Sequence, residues 1–240
     1  MRQIWIITKR ELRSFFDSLM AYIMIVLFLG FSGFFTWLSG SDIFFVGQAS
    51  LQTFFGVSFW TLFFFIPALT MKLLAEENKT GTIELLLTKP VSDWQVIVAK
   101  FLATFLLILI TLLLTLPYYI TVANIGPVDH GAVIMGYLGL LLMSAAYISI
   151  GLFASSITSN QIVAFLLSLA IGILFHLIFG FISNVFSGIA GEVLSYLSMA
   201  EHFSSISRGV VDSKDIVYFL SVILLGLFAS EAILAKRNTI

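Results

Sequence analysis

The residues of this chain whose types could do chemistry fall into two sets. One is the charged stretch 75–95, AEENKTGTIELLLTKPVSDWQ, with Glu76, Glu77, Lys79, Glu84, Lys89 and Asp93 around the apolar cluster Ile83, Leu85, Leu86 and Leu87. Mixed charge beside a short apolar cluster suits docking on a partner or on a bilayer surface. The other set is His130, His176 and His202, which are far apart in sequence. Glu201 and His202 come nearest to a catalytic pair, as an enzyme acting on lipid would need, but no nucleophile and orienting group accompany them. With no cysteine there is no thiolate and no Cys-based metal site. Gly-x-x-x-x-Gly-Lys-[Ser/Thr], His-Glu-x-x-His and Gly-x-Ser-x-Gly are absent, so the chain carries no P-loop for ATP and no common hydrolase motif. Neither a catalytic residue, nor a metal site, nor a cofactor, nor nucleic-acid binding is expected.

The elements that must position these residues follow from the composition. The chain is 60% hydrophobic and 10% charged, against about 25% charged in soluble domains. Its solvent is therefore partly lipid, and its length divides into spans of about 20 residues. Gaps between charges place five spans near 18–40, 54–74, 96–119, 132–157 and 162–186. A sixth falls near 216–235. Between Asp129 and Glu192 no Asp, Glu, Lys or Arg occurs. That stretch is too long for one helix, and Thr158, Ser159, Asn160 and Gln161 supply its turn. Residues 101–120 hold thirteen Leu, Ile or Phe, roughly −4 to −8 kcal/mol toward insertion. The first apolar run begins behind a long charged segment and is long enough to span, so a span rather than a cleaved leader is expected. The expected fold class is all-α: a single polytopic membrane domain over residues 1–240.

Six spans put Arg2, Lys9, Arg10, Arg13, Lys72, Lys79, Lys89, Lys100, Lys236 and Arg237 on one side. Arg208 and Lys214 are on the other. The positive-inside rule then makes both termini and the 75–95 loop cytoplasmic. Segment 1–17 mixes Ile4, Ile7, Leu12, Phe15 and Phe16 with four basic residues and reads as an amphipathic helix at the inner interface. In the loop, Thr80, Gly81 and Thr82 suit a helix start, with Glu84 in its first turn and Pro90 ending it. A plain interhelical loop is the other reading. On the outer side, 188–214 reads as an amphipathic interfacial segment. Ile189, Val193, Leu197, Ala200 and Phe203 form its apolar stripe, and His202 lies among its polar faces.

Within the spans, His176 is either a lining residue of a polar path or a neutral histidine held between packed helices. Pro67 and Pro117 are expected to kink the second and third spans. Gly136, Gly139, Gly151, Gly172 and Gly180 suit close helix packing.

The stretch from Glu76 to Val91, with its acidic pair, Gly-Thr-x-Glu, leucine run and Lys-Pro, resembles the hallmark loop of ABC-2 type ABC transporter permeases. Lys9 to Phe16 is similar to that family's opening segment. His202 to Asp212 and Val217 to Leu220 resemble most the gliding-motility-associated permeases of the GldF kind. The chain departs from some relatives at Leu19, where they carry Pro. The resemblance implies an N-terminal interfacial helix, six spans, a coupling helix between spans two and three, and interfacial helices before span six. It also implies a cytoplasmic ATPase chain, a second permease subunit as homo- or heterodimer, and a bacterial inner-membrane location. Glu76, Glu77, Thr80, Gly81, Thr82, Glu84 and Leu87 would couple the ATPase to movement of a substrate, with the 157–161 turn as a smaller contact. A membrane-anchoring or assembly role without transport is the alternative.

Overall fold

The computed structural model describes residues 2–39, 47–81, 91–210 and 212–237. Among these, six helical stretches are long and apolar enough to cross a membrane. Helix α1 (Arg2–Asp17) precedes the first span, α2 (Met20–Trp37). The second span, α3 (Gln52–Thr70), runs through a four-residue turn into α4 (Ala75–Thr80). The third consists of α5 (Asp93–Leu113) and α6 (Leu116–Ile125). The fourth is α7 (His130–Ile157). The fifth is α8 (Gln161–Ile173), continued by a π-helical turn (Leu174–Ile178) and α9 (Phe179–Ser183). Two short helices, α10 (Ile189–Tyr196) and α11 (Met199–Ser207), lead to the last span, α12 (Ser213–Arg237).

The fourth span is the axis of the bundle. In its membrane-length window 67% of residues are buried, against 28% for the first span and 22% for the fifth and sixth. Small residues let its neighbours approach. A Cβ on Gly151 would lie 2.0 Å from Thr70 Oγ1, one on Gly136 would lie 2.4 Å from the Phe55 ring, and one on Gly226 of α12 would lie 2.6 Å from Ser149 Oγ. With no hydrophobic force between helices in lipid, such contact is what holds spans together. Buried hydroxyls in the spans return their proton to the helix itself. Thr70 bonds Ile66 O at 2.9 Å, Thr111 bonds Leu107 O at 2.8 Å and Ser144 bonds Leu140 O at 2.6 Å. No hydroxyl of these three is therefore left bare in hydrocarbon.

Proline placement explains the two interruptions. Helix α3 stops at Thr70, three residues past Pro67. The third span breaks at 114–115, and Pro117 then sits in the first turn of α6, where its missing N–H costs no helical bond. Pro67 thus lies inside the last turn of α3, whereas Pro117 lies at a break between two helices. Asp129 and Asn160 cap α7 and α8 through side-chain bonds to Ala132 N (3.0 Å) and Ile162 N (2.9 Å). The fold between spans four and five therefore falls at the polar cluster 158–161.

Leu19, between α1 and α2, has φ 60°, a left-handed conformation that costs a leucine about 1–2 kcal/mol. A proline, locked near −65°, cannot take it.

Candidate coupling site

Helix α1 lies on the start of the third span rather than standing off in solvent. Ile7 and Phe15 are buried, and Ile7 clusters with Val96 and Ala99. Thr8 Oγ1 donates within reach of both Ile4 O (2.9 Å) and Ala99 O (3.2 Å). Arg2, Lys9, Arg10 and Arg13 stay exposed.

Helix α4 is positioned by the fourth span. The 71–74 turn leaves backbone groups without helical partners, and Ser155 takes up three of them. Its Oγ accepts from Leu74 N (3.0 Å) and Ala75 N (2.9 Å) and donates to Met71 O (3.1 Å). Asn78 Nδ2 reaches Thr158 O at 3.4 Å, which ties α4 to the turn between spans four and five.

The sequence reading took Thr80, Gly81 and Thr82 for a helix start. Thr80 is instead the last residue of α4, and Gly81 (φ 70°, ψ 5°) stops it in the left-handed region that glycine enters freely. Span two thus reaches further than the 54–74 read from hydropathy, and what was read as loop begins as helix. At the far end, Ser92 and Gln95 form a capping box that starts α5 at Asp93. Thr82, Glu84 and Leu87, and with them any helix ended by Pro90, lie outside the described residues.

These elements converge on Lys100. Its side chain is 1% exposed, about two turns inside the third span. An ammonium there needs partners, because leaving one bare in a low-dielectric interior is costly. Nζ lies 2.7 Å from Glu77 Oε1 and 3.5 Å from Glu11 Oε2. Glu11 also accepts from Arg10 Nη2 at 2.6 Å. One lysine thus ties α1, α4 and α5 together. A cleft of about 310 Å³ opens beside it, lined by Glu76, Glu77, Thr80, Lys72 and Arg10 among others. Of the residues singled out for coupling, Glu77 turns inward to Lys100, while Glu76, Thr80 and Gly81 are exposed.

Lys100 and Glu11 were not among the residues predicted. The one signal was a lysine inside an apolar run, and it was counted toward orientation.

Burial pushes the Glu11 carboxyl up, but Lys100 and Arg10 more than offset this and hold it below its usual 4.5. A depressed folded value means the pair contributes fully above 4.5 and fades as pH falls through the lowered value. Hydrogen-exchange protection in α1, taken relative to the intrinsic exchange rate at each pH, should be steady from neutral pH down to about 4.5 and fall below it. Glu11→Gln should remove that dependence.

His176 is not brought to this cluster. It sits in the π-helical turn, 1% exposed, stacked on Phe59 (4.0 Å between centroids) and Phe63 (4.5 Å), with Tyr147 OH on its Nδ1. Its Nε2 has no partner among the described residues.

At the opposite end, His202 is buried rather than on a polar face. Nδ1 lies 2.6 Å from Asp215 Oδ1, Nε2 lies 3.0 Å from Tyr196 O, and the ring stacks on Tyr218. A carbonyl only accepts, so Nε2 carries a proton, and a further proton must lie between Nδ1 and Oδ1. Both ring nitrogens are committed to pinning α10 and α11 to α12. The carboxylate Oδ2 of Asp215 is buried without a partner among the described residues. Asp215→Asn, whose amide can donate to Nδ1, should shift stability by under about 1 kcal/mol. Asp215→Leu should cost about 1–3 kcal/mol by stranding the ring. Thermal unfolding in detergent measures both.

The fold and its charged end define a polytopic α-helical membrane protein with a short helical annex between spans two and three. A family model for "ABC-2 family transporter protein" matches residues 5–227. The chain belongs to that family, whose members are transmembrane permease subunits. No curated protein matches the chain.

Proposed function

We propose that this chain is the permease subunit of an ATP-driven transporter and that a separate cytoplasmic ATPase docks on the segment following α4. The observation that carries this reading is Lys100, held by Glu77 and Glu11 at the base of that segment. A push on α4 is thereby shared with α1 and with the third span instead of being absorbed by a loose loop. In this reading Glu76, Thr80, Gly81, Thr82, Glu84 and Leu87 meet the ATPase, and Glu77 passes the load inward. ATP must favour one arrangement of the permease over another, or no equilibrium moves. The 158–161 turn is a second, smaller contact, supported by the Asn78 bond and by a cleft between Lys79 and residues Ser159–Ile162.

The ten-to-two distribution of Lys and Arg supports cytoplasmic termini in a bacterial inner membrane. The family supports pairing with a second permease subunit. The stretches His202 to Asp212 and Val217 to Leu220 support a place among gliding-motility-associated permeases. For His176 the aromatic cage supports a packing role over a path-lining one.

The test is to purify the tagged chain in mild detergent from its native membrane, as wild type and as Thr82→Ala with Glu84→Leu. The scores are ATPase yield and hydrolysis rate. The wild type should bring down an ATPase, and the double variant should insert normally yet lose most of the bound ATPase or its stimulation. Normal coupling in the variant would remove this segment from the docking site.

A further inference from the structure

Helix α12 crosses α7 closely at Gly226 and packs on it along its length. On one flank of that contact the two helices and the π-helical turn of the fifth span leave a groove of about 860 Å³. Ile150 and Phe153 of α7 form its floor, Phe175 one wall, and Val217, Ser221 and Leu225 of α12 part of the other. On α12 the lining runs from Val217 to Ala229, about 18 Å at 1.5 Å per residue. That is close to one leaflet of a hydrocarbon core about 30 Å thick.

At the end where α12 begins, α10 borders the groove with Val193 and Tyr196. The polar groups along its wall are already committed: Tyr218 OH donates to Leu197 O at 2.7 Å and Ser221 Oγ to Tyr218 O at 2.7 Å. Its interior therefore asks for an apolar chain. The mouth differs. Glu192 and Lys214 both line it, and Lys214 is also 3.1 Å from Asp212. One acid and one base at the head of an apolar slot complement an ammonium and a phosphate on one molecule.

A second copy of this chain is a poorer occupant. Across a two-fold axis the same patch meets itself, and a concave groove facing its own copy leaves a void over the floor. We propose that this groove binds one acyl chain of a zwitterionic, amine-bearing phospholipid, with its ammonium against Glu192 and its phosphate against Lys214. The site stands on its own geometry and is independent of the ATPase reading.

The test uses the full-length chain in vesicles of phosphatidylethanolamine and phosphatidylglycerol. Phosphatidylethanolamine bearing a diazirine on one acyl chain is the probe, with adducts mapped by peptide mass spectrometry. Val217, Ser221 and Leu225 should be labelled several-fold more than Leu220 and Leu224, which lie on α12 outside the groove. Ser221→Phe should erase the excess, whereas Leu224→Phe should keep it. Glu192→Gln with Lys214→Gln, both at the exposed mouth, should lower labelling by this probe but not by a diacylglycerol with the same chain. Equal labelling of the two faces would mean boundary lipid only and would overturn the site. So would chain-to-chain cross-links from a cysteine at Leu225, which would put a second copy in the groove.

Discussion

Replacing Lys100 with methionine should destabilise the bundle by about 3 kcal/mol, the largest loss expected from a change that removes no volume to speak of. The methionine packs where the lysine stem lay, but it leaves the Glu77 and Glu11 carboxylates side by side without their shared cation. Glu77 is 17% and Glu11 13% exposed. Water reaches them in part, so the cost belongs at the low end of the range for a broken buried pair. The diagnostic is the combination. Lys100→Met with Glu77→Gln and Glu11→Gln should recover most of the lost thermal stability, because no uncompensated charge remains. It should still fail to transmit, because α1, α4 and α5 are no longer tied. A triple variant that stayed as unstable as the single one would show that the lysine matters for packing rather than for charge.

Gly151→Leu should be the most damaging change at the bundle axis. A Cβ there would lie 2.0 Å from Thr70 Oγ1 and 2.7 Å from Thr70 Cβ. Thr70 cannot swing away freely, since its hydroxyl is bonded to Ile66 O and the residue is buried. Spans two and four would have to part. Overpacking alone costs about 1–3 kcal/mol, and here the shift also pulls on Ser155, which secures α4 a turn further along. We expect little folded protein by size-exclusion chromatography, and in what survives, weak ATPase binding. Gly30→Leu is the matched control: nothing lies within 4 Å of a Cβ there, so that variant should behave as wild type.

Six apolar runs were legible because span length and charge gaps are properties of one stretch of chain at a time. The 158–161 turn was readable for the same reason. What escaped were pairings across distance. Lys100 meets Glu77 over 23 residues and Glu11 over a longer interval still, and no local pattern announces either. A glycine after a polar residue suits the end of a helix as well as the approach to one, and the αL angle of Gly81 makes it the end of α4. The helix read from Thr82 onward lies outside the described residues. His202 was read as polar and therefore outward, yet it is 4% exposed, while Ile189, on the supposed apolar face, is 81% exposed. Beside a membrane the usual sign inverts: an apolar face can point outward, and a polar side chain with a partner can be buried.

The docking claim is most directly tested by a cross-link. The chain has no cysteine, so a single cysteine at Glu84 is a unique handle, and one at Gly188 at the opposite end is its control. In native membranes with the ATPase present, a short thiol-reactive cross-linker should join the Glu84→Cys chain to the ATPase, more strongly when a non-hydrolysable ATP analogue is added, and should leave the Gly188→Cys chain unlinked. A linked Gly188→Cys chain, or an unlinked Glu84→Cys chain in a complex that still co-purifies, would contradict the account.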